Sequence, residues 1–345
     1  MIDTSPLDSK RCLVTGGAGF LGRNLVAALR EKGCPVTVLD TAAQAEPLQG
    51  VRWFQGDVRS YADVLAASEG VDTVFHTAAV IEALTHARRS VARTIEAINV
   101  GGTQNVIRAA RQSGVRRLVH TGSIVASFCM NAAGGDESAP YSSSRDLYTS
   151  TKIAGERAVL DANGADGLLT CVIRPGGIYG PGERLTYGRL VRALKMGVPL
   201  VVFGDGRARL DYVYIDNLID AQLRAAERLV EGSPVCGEAY FVSDESPINA
   251  GQFSIELVKN MGLQPPRIRV PDAVARAMGA AMERVYQALG VGKPLFTVAN
   301  VKLCDIDHYF SIEKAKRHLG YRPLVDTEEG LRRTAVEARA YYESL

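Results

Sequence analysis

A strong charge of either sign is missing from this chain. Forty basic residues stand against 38 acidic ones, a net of +2 with histidine neutral, so no field draws the protein to nucleic acid and no nucleic-acid partner is expected. Paired cysteines are missing too. The six, at positions 12, 34, 129, 171, 236 and 304, form no CxxC, and Cys12, Cys34 and Cys171 lie in or beside apolar runs. That pattern reads as reduced, mostly buried thiols and excludes a disulfide framework. None of the five histidines stands at zinc spacing from a cysteine, so no metal is expected. No run approaches the ~18 uncharged apolar residues of a spanning helix. The polar stretch Met1–Lys10 lacks the apolar core of a signal peptide. Together these absences point to a cytoplasmic protein, or at most one resting on a membrane surface. Repeats, low-complexity tracts and an obvious flexible linker are absent as well.

What is present is the composition of an ordinary globular protein, 46% hydrophobic and 23% charged, which also excludes a disordered chain. At roughly 150 residues per domain, 345 residues suggest two parts. In the first, β-rich runs (Arg11–Thr15, Pro35–Leu39, Val51–Gln55, Asp72–His76, Arg117–His120, Leu168–Arg174) alternate with helical periodicity over Phe20–Lys32, Val91–Gln112 and Leu147–Ala162. Strands separated by helices predict an α/β fold, a doubly wound parallel Rossmann sheet. After Pro175 the pattern turns irregular. Helices are expected near 184–195, 215–230, 249–260, 272–289 and 327–343, and short strands near 199–203 and 238–243. The expected division is a dinucleotide-binding domain over 1–175. A smaller, mixed substrate-binding region follows over 176–345, with some elements returning to the sheet.

The sharpest local signal is Thr15-Gly16-Gly17-Ala18-Gly19-Phe20-Leu21-Gly22, between the first strand and the first helix. Gly16 permits the tight turn, Gly19 lets the backbone approach a pyrophosphate, and Gly22 lets the helix pack close to the strand. The helix start at Phe20 and Leu21 offers unpaired N–H groups to phosphate. A glycine-rich turn without a ligand is the plain alternative. Asp40 ends the second strand and could accept hydrogen bonds from the adenosine ribose. It would repel a 2′-phosphate, and Thr41-Ala42-Ala43 supply no cation to hold one, which favours NAD over NADP. Asp57 and Val58 follow the third strand, placed for the adenine amino group and ring, unless Asp57 only caps a turn. Thr77-Ala78-Ala79 after the fourth strand are small enough to let the backbone approach a cofactor. His76 beside them reads as a satisfied strand-end residue. Pro175-Gly176-Gly177-Ile178 form a rigid segment able to present backbone to a nicotinamide, or a plain loop.

Tyr148-Thr149-Ser150-Thr151-Lys152 carries the chemistry. Four residues apart on a helix, Tyr148 and Lys152 share a face. An ammonium and the nicotinamide charge together would favour the phenolate of a group whose ordinary pKa is about 10. Tyr148 could then take a proton from a substrate hydroxyl as hydride leaves its carbon. Ser123 follows the fifth strand, at the same end as the other loops, where its hydroxyl could hold the substrate oxygen.

With these residues in this order, the sequence resembles the extended short-chain dehydrogenase/reductase superfamily over nearly its whole length. The resemblance implies NAD(P) binding and a Ser123/Tyr148/Lys152 catalytic triad. It also implies a structural and proton-relay role for Asn99 and a homodimer built on two long helices of the sheet domain. The stretches Asp211–Leu218, Tyr240–Asp244 and Tyr309–Pro323 look most like the 3β-hydroxysteroid dehydrogenase family, especially its sterol-4α-carboxylate 3-dehydrogenase branch. That likeness implies NAD-dependent oxidation of a 3β-hydroxyl on a sterol or similar lipid, with loss of carbon dioxide where a 4α-carboxylate is present. Gly122, where many relatives have serine or threonine, and Thr151, where serine is usual, depart from the pattern. Three rivals stay open: an NADPH-dependent 3-oxo acid reductase, a nucleotide-sugar epimerase or dehydratase, and a non-catalytic NAD- or lipid-binding protein. An apolar stripe of Val274, Ala277, Met278, Ala281, Val285 and Leu289 marks the helix near 272–289. It reads as a cover for pocket or core, or as a helix lying on a membrane.

Overall fold

The computed structural model describes residues 7, 9–44, 46–81, 89–127, 133–144, 146–203, 207–289, 297, 298, 301 and 307–345. Apolar runs form its central sheet. Strands β1 (Cys12–Thr15), β2 (Val36–Asp40), β3 (Val51–Gln55), β4 (Thr73–His76), β5 (Arg117–Thr121), β6 (Leu169–Pro175) and β10 (Glu238–Val242) lie in the order β10-β6-β5-β4-β1-β2-β3. Every pairing is parallel. β1, β4 and β5 are buried along their whole length, as a sheet covered on both faces requires. β1 has β2 on one side and β4 on the other, so the winding reverses there and opens a crevice beyond the carboxyl ends of those strands.

The helices bury what their periodicity predicts. Helix α1 (Phe20–Glu31) turns Leu21, Leu25, Val26 and Leu29 inward. Each such side chain contributes roughly 1.5–3 kcal/mol by leaving water. Helix α2 (Tyr61–Ala67), capped by Ser60, was not anticipated, because its seven residues are too few to show a period. The long helix expected over Val91–Gln112 is split. α3 (Arg89–Glu96) and α4 (Thr103–Gln112) flank a wider π-helical turn over Ala97–Gly102. Helix α5 (Leu147–Asp161) starts at Asp146, whose carboxylate accepts the Thr149 amide at 2.9 Å.

Beyond β6 come β7 (Gly177–Tyr179), α6 (Tyr187–Lys195), β8 (Leu200–Phe203), β9 (Tyr212–Tyr214) and α7 (Ile215–Arg228). After β10 follow α8 (Ala250–Asn260), β11 (Arg267–Val270), α9 (Asp272–Leu289), α10 (Glu313–Leu319) and α11 (Thr327–Ser344). β7 pairs with β9 and β8 with β11, two small parallel ladders that three- and four-residue runs did not reveal in the sequence. Cys12, Cys34 and Cys171 are buried and Cys236 is half-buried; positions 129 and 304 lie outside the described residues.

α9 departs from one expectation. Val274, Met278, Val285 and Leu289 are exposed, while Ala275, Gly279 and Glu283 form the buried side. Small residues let that side approach its neighbour: a Cβ on Gly279 would come within 3.1 Å of the Val298 nitrogen. The Val298 amide donates to Glu283 at 3.0 Å. The helix is therefore held by its small and polar face, and its apolar stripe looks outward. No helix among the described residues is long and apolar enough to cross a membrane.

Candidate active site

The glycine loop sits at the reversal point of the sheet. Gly16 adopts φ +73°, and a Cβ there would fall 2.8 Å from the Ala78 Cα. A Cβ on Gly22 would fall 2.1 Å from the Gly16 carbonyl oxygen, so only hydrogen fits. At Gly19 the same addition would meet that oxygen at 3.1 Å. Gly19 caps α1 without a side chain, leaving the first-turn N–H groups at Phe20 and Leu21 to face the crevice. Thr77 closes the opposite wall by donating to the Thr15 carbonyl at 2.7 Å, and the Ala78 amide donates to Thr15 Oγ1 at 3.3 Å. A glycine turn set against the start of a helix, with backbone N–H groups toward the crevice, has the form that suits a pyrophosphate.

Asp40 stands at the end of β2 and braces the loop, accepting the Ala18 amide on Oδ2 and the Ala42 amide on Oδ1, both at 2.9 Å. No basic side chain follows it through Ala43. Asp57 is held by Arg59, which donates from Nε at 2.9 Å and from Nη2 at 2.5 Å. That contact lowers the Asp57 pKa, so its carboxylate stays an acceptor. Val58 is buried against Gly102, and the Asn105 amide holds its carbonyl at 2.9 Å.

Ser123, Tyr148 and Lys152 come together beyond β5. Tyr148 lies beside Ser123, and Lys152, one turn along α5, donates to the Thr121 carbonyl at 2.5 Å. The electrostatics differ from the sequence expectation. Burial pushes the Tyr148 phenol up to about 12, while the Ser123 contact pulls the other way. Burial also draws Lys152 down to about 8, with Glu156 opposing it. The lysine does not by itself make the tyrosine acidic.

Asn99 lies in the π-helical turn, a local widening that often marks functional positions. Its side chain accepts the Val80 amide at 2.8 Å and donates to the Val80 carbonyl and Thr151 Oγ1, both at 3.1 Å. It thus ties α5 to the segment after β4. His76 is buried between Thr15 Oγ1 at 2.7 Å and Thr103 Oγ1 at 3.0 Å, a satisfied residue. After β6, the Gly176 amide donates to Val242 and the Gly177 amide to Asp211. Both N–H groups are spent inside the protein, which leaves Pro175 and Ile178 to shape that wall. Glu156, Arg174 and Thr121 were missed by the sequence reading. The i, i+4 spacing of Lys152 and Glu156 was the available signal. Among the described residues no cluster of His, Cys, Asp or Glu could hold a metal ion.

The sequence of the 3-beta hydroxysteroid dehydrogenase/isomerase family matches this chain over residues 13–272. The chain belongs to that family. This family member is 41% identical over 341 residues to the 3 beta-hydroxysteroid dehydrogenase/Delta 5→4-isomerase of Mycobacterium tuberculosis, across 97% of this chain and 91% of that one. It is 34% identical over 348 residues to 3beta-hydroxysteroid-dehydrogenase/decarboxylase isoform 1 of Arabidopsis thaliana, across 94% and 78%. A solved UDP-glucose 4-epimerase from Thermus thermophilus, in complex with NAD, shares its fold with a TM-score of 0.74 at 23% identity, over 95% of this chain and 99% of that one.

Proposed function

We propose that this protein oxidises the 3β-hydroxyl of a steroid or sterol, using NAD. The observation that carries the reading is the Ser123–Tyr148 contact with Lys152 one turn away, set beside a glycine cradle. Gly16, Gly19, Phe20, Leu21 and Gly22 would hold the pyrophosphate and Asp40 the ribose. Asp57 and Val58 would hold the adenine, and Thr77, Ala78, Ala79, Pro175 and Ile178 the remainder of the cofactor. When bound there, NAD would supply the hydride acceptor for the carbinol carbon. Ser123 Oγ positions the substrate oxygen, Tyr148 Oη takes its proton, and the Lys152 ammonium stabilises the phenolate. Asn99 holds α5 in place for this. The pocket is assigned to the part after residue 175. Where the substrate bears a 4α-carboxylate, the product is a β-keto acid, able to lose carbon dioxide through a stabilised enolate. The decarboxylase name of the Arabidopsis relative supports that extension.

The test is a screen of 3β-hydroxysteroids, 4α-carboxysterols, 3-hydroxy acids and UDP-sugars with NAD⁺, followed at the NADH absorbance band. Turnover is expected with the first two classes, and turnover with UDP-sugars alone would overturn the reading. For the cofactor, Asp40→Ala is expected to lower the NAD-to-NADP preference about tenfold, the effect of ~1.4 kcal/mol in ribose contact and phosphate repulsion. An unchanged ratio of kcat/KM values would refute that contact.

The outward stripe of α9 supports contact with a lipid surface, the source of such substrates. Arg284 on α9, and Arg267 and Arg269 on the preceding strand β11, are exposed, which suits anionic headgroups. Val285→Asp with Leu289→Asp is expected to reduce cosedimentation with anionic phospholipid vesicles at least tenfold, since each lost side chain removes ~1.5 kcal/mol or more of burial. Equal sedimentation of variant and parent would count against it. A homodimer across α3 and α5 is part of the same reading. Small residues such as Ala97, Gly101 and Ala154 line the groove between those helices and suit close packing.

A further inference from the structure

A buried ion pair stands behind the acid–base groups. Glu156 is 0% exposed and Arg174 4%, and the guanidinium donates from Nε to both carboxylate oxygens at 3.1 Å and from Nη2 to Oε1 at 2.5 Å. Each partner touches a piece of the site. Glu156 lies one turn beyond Lys152 on α5, and a Cβ on Gly122 would come within 3.1 Å of its Oε2, so the carboxylate sits directly beneath the turn that carries Ser123. Arg174 Nη1 donates to Ser127 Oγ at 3.2 Å, at the end of the helical turn Ile124–Ser127 that follows Ser123. The guanidinium also faces the rings of Tyr141 at 5.6 Å and Phe241 at 5.1 Å. Tyr141, whose ring faces the guanidinium, lies close to the Glu156 carboxylate in the stretch leading to Asp146, the cap of the Tyr148 helix. Arg174 itself immediately precedes Pro175 in β6.

Stability alone is a weak reason to bury such a pair. Desolvating two charges often costs as much as their attraction returns, and apolar residues of the same volume can do as well. What apolar residues cannot supply is a fixed negative charge one turn from Lys152, or a five-donor fork that joins three segments at once.

We propose that Glu156 and Arg174 are positioning residues for the reaction: the pair locks the Ser123 turn, the Tyr148 helix and the start of the Pro175–Ile178 segment in one arrangement, and it sets a buried carboxylate one turn from Lys152 on the same helix. This rests on the acid–base reading of Tyr148 and Lys152 given above. The groups facing Lys152 are consistent with that electrostatic role. His76 and His120 on β4 and β5 are buried, and burial holds both neutral, with Lys152 adding to the effect. Glu156 is the anionic group that opposes the desolvation of the lysine.

The experiment is a pH profile of kcat for 3β-hydroxysteroid oxidation at saturating NAD⁺. It compares the parent, Glu156→Gln, Glu156→Asp and the double variant Glu156→Gln/Arg174→Met. Glu156→Gln removes the charge and keeps the shape. Its alkaline limb is expected about one pH unit below the parent's and its kcat about tenfold lower, with KM for NAD within about twofold. Glu156→Asp keeps the charge and is expected to keep the limb. The double variant leaves no unpaired charge in the interior, so it serves where Glu156→Gln alone unfolds, and saturating NAD⁺ adds stability by mass action. Its limb is expected to move down as well. A folded double variant with the parent's kcat and limb, altered only in melting temperature, would overturn the proposal and leave the pair structural. Tyr148→Phe measured alongside separates the two failures. If that variant turns over normally, the acid–base reading itself is wrong. If it is inactive while the limb does not move, only the role of the pair falls.

Discussion

Tyr148→Phe is expected to lower turnover about 10³-fold, within the range that a positioned acid–base group contributes. The substitution removes one oxygen, and the ring keeps its place on α5. Ser123 loses a neighbouring hydroxyl. NAD affinity is expected to stay within a few-fold, because the glycine cradle and Asp40 lie on other elements. Isothermal titration with NAD and single-turnover kinetics would check both halves. Turnover near the parent's would refute the proton-transfer role. The same electrostatics set a direction with pH. Burial raises the phenol to about 12 without the cofactor, so oxidation requires a deprotonation that bulk solvent disfavours at neutral pH. The rate of oxidation is expected to rise from about pH 6 toward about 8 in the parent enzyme and to fall above that, as Lys152, drawn down to about 8, loses its charge. A flat profile would mean that proton removal is not part of the slow step.

Gly22→Ala is expected to destabilise the protein by about 3 kcal/mol and to weaken NAD binding at least tenfold. The added methyl would lie 2.1 Å from the Gly16 carbonyl oxygen and 2.7 Å from the Gly17 Cα. Both obstacles are backbone, so no side chain can rotate away. Relief requires α1 to move off the loop, and its N–H groups would then leave the place where they face phosphate. Gly33→Ala offers a contrast at the far end of the same helix, where a Cβ would meet nothing within 4 Å. There the positive φ of 74° strains the backbone, but no cofactor wall is disturbed. Thermal denaturation with and without NAD distinguishes the two. Equal ligand-induced shifts for parent and Gly22→Ala would show that the close approach does not matter for the cofactor.

The sequence carried the sheet because parallel strands covered on both faces must be continuous apolar runs, and those are visible one by one. It carried the glycine loop and the Tyr148–Lys152 pair because turn geometry and helical period fix their neighbours within a few residues. It also placed α9 and its stripe correctly along the chain. Short elements escaped. Helix α2 and strands β7, β9 and β11 are set by ladders and caps contributed from elsewhere, such as the Gly177 amide on the Asp211 carbonyl. Which way the α9 stripe points was likewise not legible, since periodicity gives a face without saying what lies against it.

Residue identity and local spacing alone established the fold class, the family resemblance and the candidate acid–base residues. Tertiary structure decided the electrostatics. A tyrosine and a lysine four residues apart predict a mutual effect, yet burial raised one and lowered the other, because desolvation depends on the whole surrounding packing. It also decided the partnership of Glu156 with Arg174, 18 residues apart in sequence, which exists because α5 lies across the end of β6. No local pattern encodes such a meeting, since it depends on where the chain returns rather than on which residues are adjacent.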